Sequence, residues 1–260
     1  MKPSGREQVL ENLREQVSRL ERAASGSRVN RTVLPFGLAP LDRRLPGSGL
    51  PLACLHEVEP GGRGLEHGAA AILFTAGILA RLKGPVLWCL ASRDLFAPAL
   101  ARAGLHPDRV IYAETWRDAE VLPVTEEGVR CPGLAGVVGE IGRLSLTASR
   151  RLQLAAEATG VAALVLRRWH GEQSVGGAGE PSAATTRWRV TALPSSPLTT
   201  PGLGRPRWQV ELLRCRGAPA GADGCRWVLE ACDEAGRLRV PADLANRPRP
   251  QAAAERAATG

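Results

Sequence analysis

Residues 58–66 are where phosphate chemistry has to be sought in this chain. A short apolar run (52–58) leads into a glycine-rich turn (60–64) and then into a long apolar helical pattern (69–82). A phosphate-cradling loop in that context needs G-x-x-x-x-G-K-[ST]: backbone N–H groups wrap the phosphates, the lysine neutralises them and the hydroxyl holds a metal ion. With Gly64 as the second glycine, the first position is Glu59, the lysine position is Leu65 and the hydroxyl position is Glu66. With Gly68 in that role, the same positions hold Arg63, Ala69 and Ala70. Neither register works, and Glu59 and Glu66 would set two carboxylates against a triphosphate, which repels. The turn reads as a degenerate phosphate loop at Glu59, Gly64, Leu65 and Glu66. No cofactor and no catalytic residue are expected.

Other candidate chemistry is thinner. In a nucleotide enzyme of this layout a metal-holding carboxylate would sit at the tip of the apolar run 134–141, but Gly139 occupies that place and Glu140 follows it. Without a phosphate loop, Glu140 is expected to end a strand or join a salt bridge. Cys54, Cys89, Cys131, Cys215, Cys225 and Cys232 contain no C-x-x-C pair, and His56, His67, His106 and His170 are not spaced with them as metal ligands. Structural thiols and no metal site are expected. Arginine and tryptophan alternate at Arg187-Trp188-Arg189, Arg207-Trp208 and Arg226-Trp227, which invites a single-strand nucleic-acid reading. Strand geometry argues against it, because neighbouring side chains point to opposite faces. Tryptophan in the core with arginine on the wet side is the expectation. Arg167-Arg168, at the end of a core run, suits either a polar site or a solvated strand end.

The elements that would position these residues alternate. Runs at 52–58, 85–91, 110–113, 134–141 and 161–166 read as strands, and 85–91 is continuously apolar, as a strand covered on both faces should be. Between them lie helical patterns: 69–82, a helix capped by Asp94 and stopped by Gly104, one opened by Asp118 and broken or delayed by Pro123, and one capped by Thr147 that runs to Gly160. This rhythm predicts an α/β domain with a mainly parallel sheet. Three shorter strands follow at 188–192, 208–214 and 227–231, with Trp188/Val190/Ala192, Trp208/Val210/Leu212 and Trp227/Leu229/Ala231 sharing a face of each. Residues 171–186 are rich in Gly, Ala and Ser without Lys or Arg and read as a flexible loop. At the front, Leu10, Leu13, Val17 and Leu20 form an apolar stripe on a charged helix within residues 1–31. It can dock on its own domain or on a partner. The end, 245–260, is an Ala/Arg/Pro tail with Arg247, Arg249 and Arg256, read as disordered and able to order on binding. The resulting division is 1–31, 32–244 and 245–260.

Composition sets the outer limits. With 260 residues, 44% hydrophobic and 23% charged, the chain can bury a large core. The longest uncharged helical stretch, 68–80, falls short of the ~20 residues that span a bilayer. Residues 1–8 are polar with no apolar run behind them, so a cytoplasmic protein is expected. The net charge is +8, and all 34 basic residues but Lys2 and Lys83 are arginine, which fits a GC-rich coding bias. Basic and acidic residues number 7 and 4 in 1–31, 15 and 13 in 32–168, and 12 and 9 in 169–260. The excess is spread too thinly for a nucleic-acid tail. DNA binding is expected to be weak or indirect.

The run Phe36-Gly37-Leu38-Ala39-Pro40-Leu41-Asp42, then Gly49-Leu50-Pro51 and His56-Glu57-Val58-Glu59, resembles the approach to the phosphate loop of RecA-type ATPases. Residues 146–158, with Arg187-Trp188-Arg189-Val190 and Trp208-Gln209-Val210-Glu211-Leu212, resemble the ImuA family, RecA-related accessory proteins of bacterial mutagenesis cassettes. That resemblance covers residues 32–232. It implies a RecA-like core with a degenerate P-loop and C-terminal strands, and a role in SOS-induced translesion synthesis. It also implies contacts with an ImuB-like protein, a DnaE-type error-prone polymerase and, as a further candidate, RecA. An active RecA-like ATPase and a SulA-like division inhibitor are the rival expectations.

Overall fold

The computed structural model describes residues 32–168, 181–195 and 204–242. Its centre is an eight-stranded sheet in the order β10-β9-β8-β3-β7-β6-β4-β5. The strands are β3 (Leu55–Pro60), β4 (Val86–Leu90), β5 (Val110–Glu114), β6 (Gly136–Glu140), β7 (Ala162–Leu166), β8 (Thr186–Leu193), β9 (Arg207–Cys215) and β10 (Cys225–Glu230). From β5 to β8 every pairing is parallel, and β9 and β10 then add antiparallel. Strands β3, β6 and β7 are buried along their whole length; β7 is an unbroken apolar run, whereas β3 carries His56, Glu57 and Glu59 buried within it. A small hairpin of β1 (Val33–Leu34) and β2 (Leu50–Pro51) flanks α1 (Ala39–Asp42). There the buried Asp42 accepts the N–H groups of Phe36, Gly37 and Leu38 at 2.7, 2.9 and 3.0 Å. The aspartate of the RecA-like lead-in is thus a backbone cap.

Alternate residues of the central strands build two cores. On one face, Val58, Trp88, Val138, Leu164, Trp188 and Val210 meet α2 (Leu65–Ala80) and α3 (Ala97–Arg102). Phe36, Phe74 and Trp188 form a ring cluster there with centroids 5.7–6.0 Å apart. On the other face, Leu55, Cys89, Val137, Ala163 and Val165 meet α4 (Asp118–Val129) and α5 (Leu146–Thr159).

Several local expectations need correction. Helix α2 starts at Leu65, four residues before the apolar pattern does, because its first turn buries little. Asp94 caps nothing: it is drawn into an ion pair with Arg168, and α3 starts after Phe96 with a proline in its first turn. Pro123 neither breaks nor delays α4, which starts at Asp118 and carries Pro123 inside it. The cap of α5 is Ser145, whose Oγ accepts the Ala148 N–H at 3.2 Å, and Thr147 lies within the first turn. The glycine stops hold, with Gly104 at φ +89° and Gly160 at φ +82°. Part of the expected loop 171–186 is packed: Ser182, Ala183, Ala184 and Thr185 are buried, with the Ala183 N–H and the Thr185 hydroxyl held by Ser149 and Gln153 of α5, and Thr186 already begins β8. Among the described residues no helix is long and apolar enough to cross a membrane.

Candidate functional site

The turn after β3 is filled by the chain itself. Glu59, at the first-glycine position of a phosphate loop, is buried and receives Arg189 from β8, with Nε at 2.8 Å and Nη2 at 2.7 Å. Glu66, in the first turn of α2, folds its carboxylate back into the space that a Cβ on Gly64 would take. His67 accepts the Ala192 N–H on Nδ1 at 3.0 Å and turns Nε2 toward Glu66, 3.5 Å away. The glycines are therefore explained by packing within the fold. A Cβ on Gly61 would overlap Thr191, and one on Gly62 would come within 2.6 Å of the His67 ring. Leu65, at the lysine position, is 92% exposed.

The tip of β6 is equally occupied. Glu140 is buried, accepts the Trp88 Nε1–H at 2.8 Å, and is paired with Arg168, which also holds Asp94. Burial works against the Arg168 charge, but the carboxylates of Asp94 and Glu140 outweigh it and push the guanidinium above its ordinary range. Glu140 is thus a salt-bridge partner, as expected from sequence. Arg168 is neither a solvated strand end nor an open polar site: it ties the ends of β4, β6 and β7 together. At Gly139, where a metal-holding aspartate would stand, a Cβ would overlap Thr125 of α4. Among the described residues, no three of His, Cys, Asp and Glu gather as a metal site would require.

The tryptophans of the last strands lie on one face, as expected, with Trp188 and Trp208 buried against the α2 core. The arginines of the other face are not simply solvated, which corrects the expectation. Strand register sets Glu59, Arg189, Glu211 and Arg226 in a row across β3, β8, β9 and β10. Arg189 reaches Glu211 at 3.5 Å and Arg226 reaches it at 2.9 Å. One strand position away, Glu57 pairs with Arg187 at 3.3 Å and accepts Ser182 Oγ–H.

Cys54, Cys89, Cys215 and the central histidine are buried, whereas Cys131 is exposed. Burial pushes Cys89 up to about 11 and Cys215 and Cys232 up to about 12, so each stays protonated. His56 donates from Nε2 to Pro51 O at 2.9 Å and accepts the Thr186 hydroxyl on Nδ1 at 2.8 Å, while Trp188 Nε1 donates to the same hydroxyl oxygen at 2.8 Å. The candidate partner residues Leu10, Leu13, Val17, Leu20, Arg247, Arg249 and Arg256 lie outside the described residues. Sequence reasoning missed Phe96 and Trp116, both strongly exposed in the loops that follow β4 and β5. For Trp116 the signal was a lone aromatic in a polar loop, whereas Phe96 fell inside the helix expected from Asp94 onward.

No family model matches the chain. Protein ImuA of Caulobacter vibrioides, in two strains alike, is 39% identical over 234 residues, covering 86% of this chain and 93% of the relative. The chain belongs to the ImuA family. Among solved structures, the RadB recombinase superposes with a TM-score of 0.53 at 18% identity, covering 80% of this chain and 99% of that one. This establishes a RecA-like fold. SulA from Pseudomonas aeruginosa superposes with a TM-score of only 0.37 over 45% of this chain and carries no argument.

Proposed function

We propose that this ImuA-family chain is a non-catalytic adaptor in SOS-induced, error-prone translesion synthesis, acting through contacts with an ImuB-like protein and a DnaE-type polymerase. The observation that supports it is the closed turn. Glu59 is neutralised by Arg189, the Glu66 carboxylate lies over Gly64, and an exposed leucine stands at the position of the phosphate-binding lysine. A RecA-like core without its nucleotide chemistry acts by what it touches, and its family membership points to the mutagenesis machinery.

The test has two arms. Calorimetric titration of ATP into the purified chain, with and without magnesium, should give no saturable binding. Co-expression with the ImuB-like protein and the polymerase should yield a complex that survives gel filtration. Saturable ATP binding that disappears on altering residues 59–66, or partners that never co-elute with the wild-type chain, overturns the reading.

A further inference from the structure

We propose that His67 is a pH-sensitive catch on the end of β8: the neutral ring holds the Ala192 N–H, and a proton on the ring releases it. Strand β3 ends at Pro60, whose register partner on β8 is Val190. The Gly61 N–H then donates to Val190 O at 2.7 Å. Alternate residues of a strand turn their backbone groups to the same neighbour, so Ala192 points its N–H toward the side that β3 has left. A backbone donor at a half-buried position needs an acceptor. The His67 ring, from the first turn of α2, supplies it through Nδ1 at 3.0 Å. The ring stands where the next strand residue would have been.

An N–H directed at Nδ1 requires a lone pair there, so the ring in this arrangement is neutral and carries its proton on Nε2. A proton taken from solvent onto Nδ1 sets donor against donor, and the bond to Ala192 breaks. The charged ring keeps a different partner, because Nε2 stands 3.5 Å from Glu66 Oε1. Each protonation state therefore has its own contact, the β8 backbone in one and a carboxylate in the other. The ring has little room to turn away, since a Cβ on Gly62 would come within 2.6 Å of it. Its side chain is 20% exposed, which gives the proton a way in. The charged residues on the elements around it are Glu66 on its own helix, Arg63 in the turn, and Glu59 and Arg189 at this end of β3 and β8. Glu66 favours the charged ring, Arg63 opposes it, and Glu59 and Arg189 neutralise each other. With the catch open, Ala192 and Leu193 are free to part from the closed turn.

The test is nuclear magnetic resonance on the isotope-labelled full chain, titrated between about pH 8 and about pH 5, where a histidine changes charge. At the upper end a scalar coupling across the hydrogen bond should join the Ala192 nitrogen to His67 Nδ1. That coupling should vanish as the ring nitrogens titrate, and the Ala192 amide proton should shift upfield in step with them. The Gly61 amide, whose acceptor is a backbone oxygen, should shift far less. These signals come from the folded chain, so the effect of His56 on global stability does not enter them. His67→Asn presents an acceptor that takes no proton, and it should abolish the titration of the Ala192 amide. If that variant fails to fold, the coupling in the wild-type chain decides alone. A coupling that is absent at the upper end, or that survives titration of the ring, overturns the proposal. So does a ring that stays neutral throughout, or a folded His67→Asn chain in which Ala192 titrates as before.

Discussion

His56 sits at the centre of the sheet with both ring nitrogens engaged, and burial pushes its pKa from 6.5 down to about 4. In the unfolded chain the same ring takes a proton near its ordinary value, so as pH falls below about 6.5 the unfolded state binds the proton first. Stability should therefore decline between about pH 6.5 and pH 4 and gain no further loss from this group below that. The total is about 3 kcal/mol. Urea midpoints measured across that range should show the decline, and His56→Gln should flatten it relative to the wild type. An identical pH slope in the variant would rule out His56 as its source. The sequence placed this histidine in an apolar run but could not supply its partner, because Thr186 lies 130 residues away. The same distance problem hid Arg189 from Glu59 and Arg168 from Asp94, separated by 130 and 74 residues.

At the level of elements, the covered strands β4 and β7 announce themselves as apolar runs, β3 is covered yet carries three buried polar residues, and β8, β9 and β10 showed period two because one face of each meets the tryptophan core. Helix starts were harder to read, since an exposed first turn carries no apolar period, and competing polar partners decide which of Asp94, Ser145 and Thr147 serves as a cap. Helix α2 shows a further constraint that no propensity scale contains. At Gly77 a Cβ would overlap the Cys232 sulfur, and at Gly236 a Cβ would lie 2.6 Å from Gly77 O, so the segment after β10 runs directly against the helix backbone. Gly77→Ala improves helix propensity by about 1 kcal/mol. Overpacking costs roughly 1–3 kcal/mol. The variant should melt below the wild type, and Gly77→Ala/Cys232→Ala should recover most of the difference. A higher midpoint for the single variant would mean that the two segments separate at little cost.

For the molecule as a whole, the RecA-like core was legible from the alternation of strands and helices, and the departure from the phosphate-loop pattern from three positions in one turn. Association is a matter for surfaces. The stripe Leu10, Leu13, Val17 and Leu20 is proposed to enter a partner's groove. Leu13→Asp with Val17→Asp should then abolish the partner complex at an unchanged thermal midpoint. A lowered midpoint would place the stripe on its own domain instead. Removing residues 245–260 should leave the midpoint where it was and weaken the complex. If both variants hold partners normally, contact is made by the core alone.

The closed turn also bears on how such a protein can change over generations. Rebuilding a phosphate site would take a glycine at 59, a lysine at 65, a hydroxyl residue at 66 and an aspartate at 139. Taken singly, these steps bring no return. Losing Glu59 leaves Arg189 with only its longer pair to Glu211, and any side chain at 139 meets Thr125. A lysine at 65 would still neighbour the Glu66 carboxylate in sequence and lack the hydroxyl at 66. None of these single changes assembles a nucleotide site, so selection has no slope to follow back. On the adaptor proposal, Glu59 and Glu66 then act as a ratchet, holding the lineage to whatever its surfaces can do.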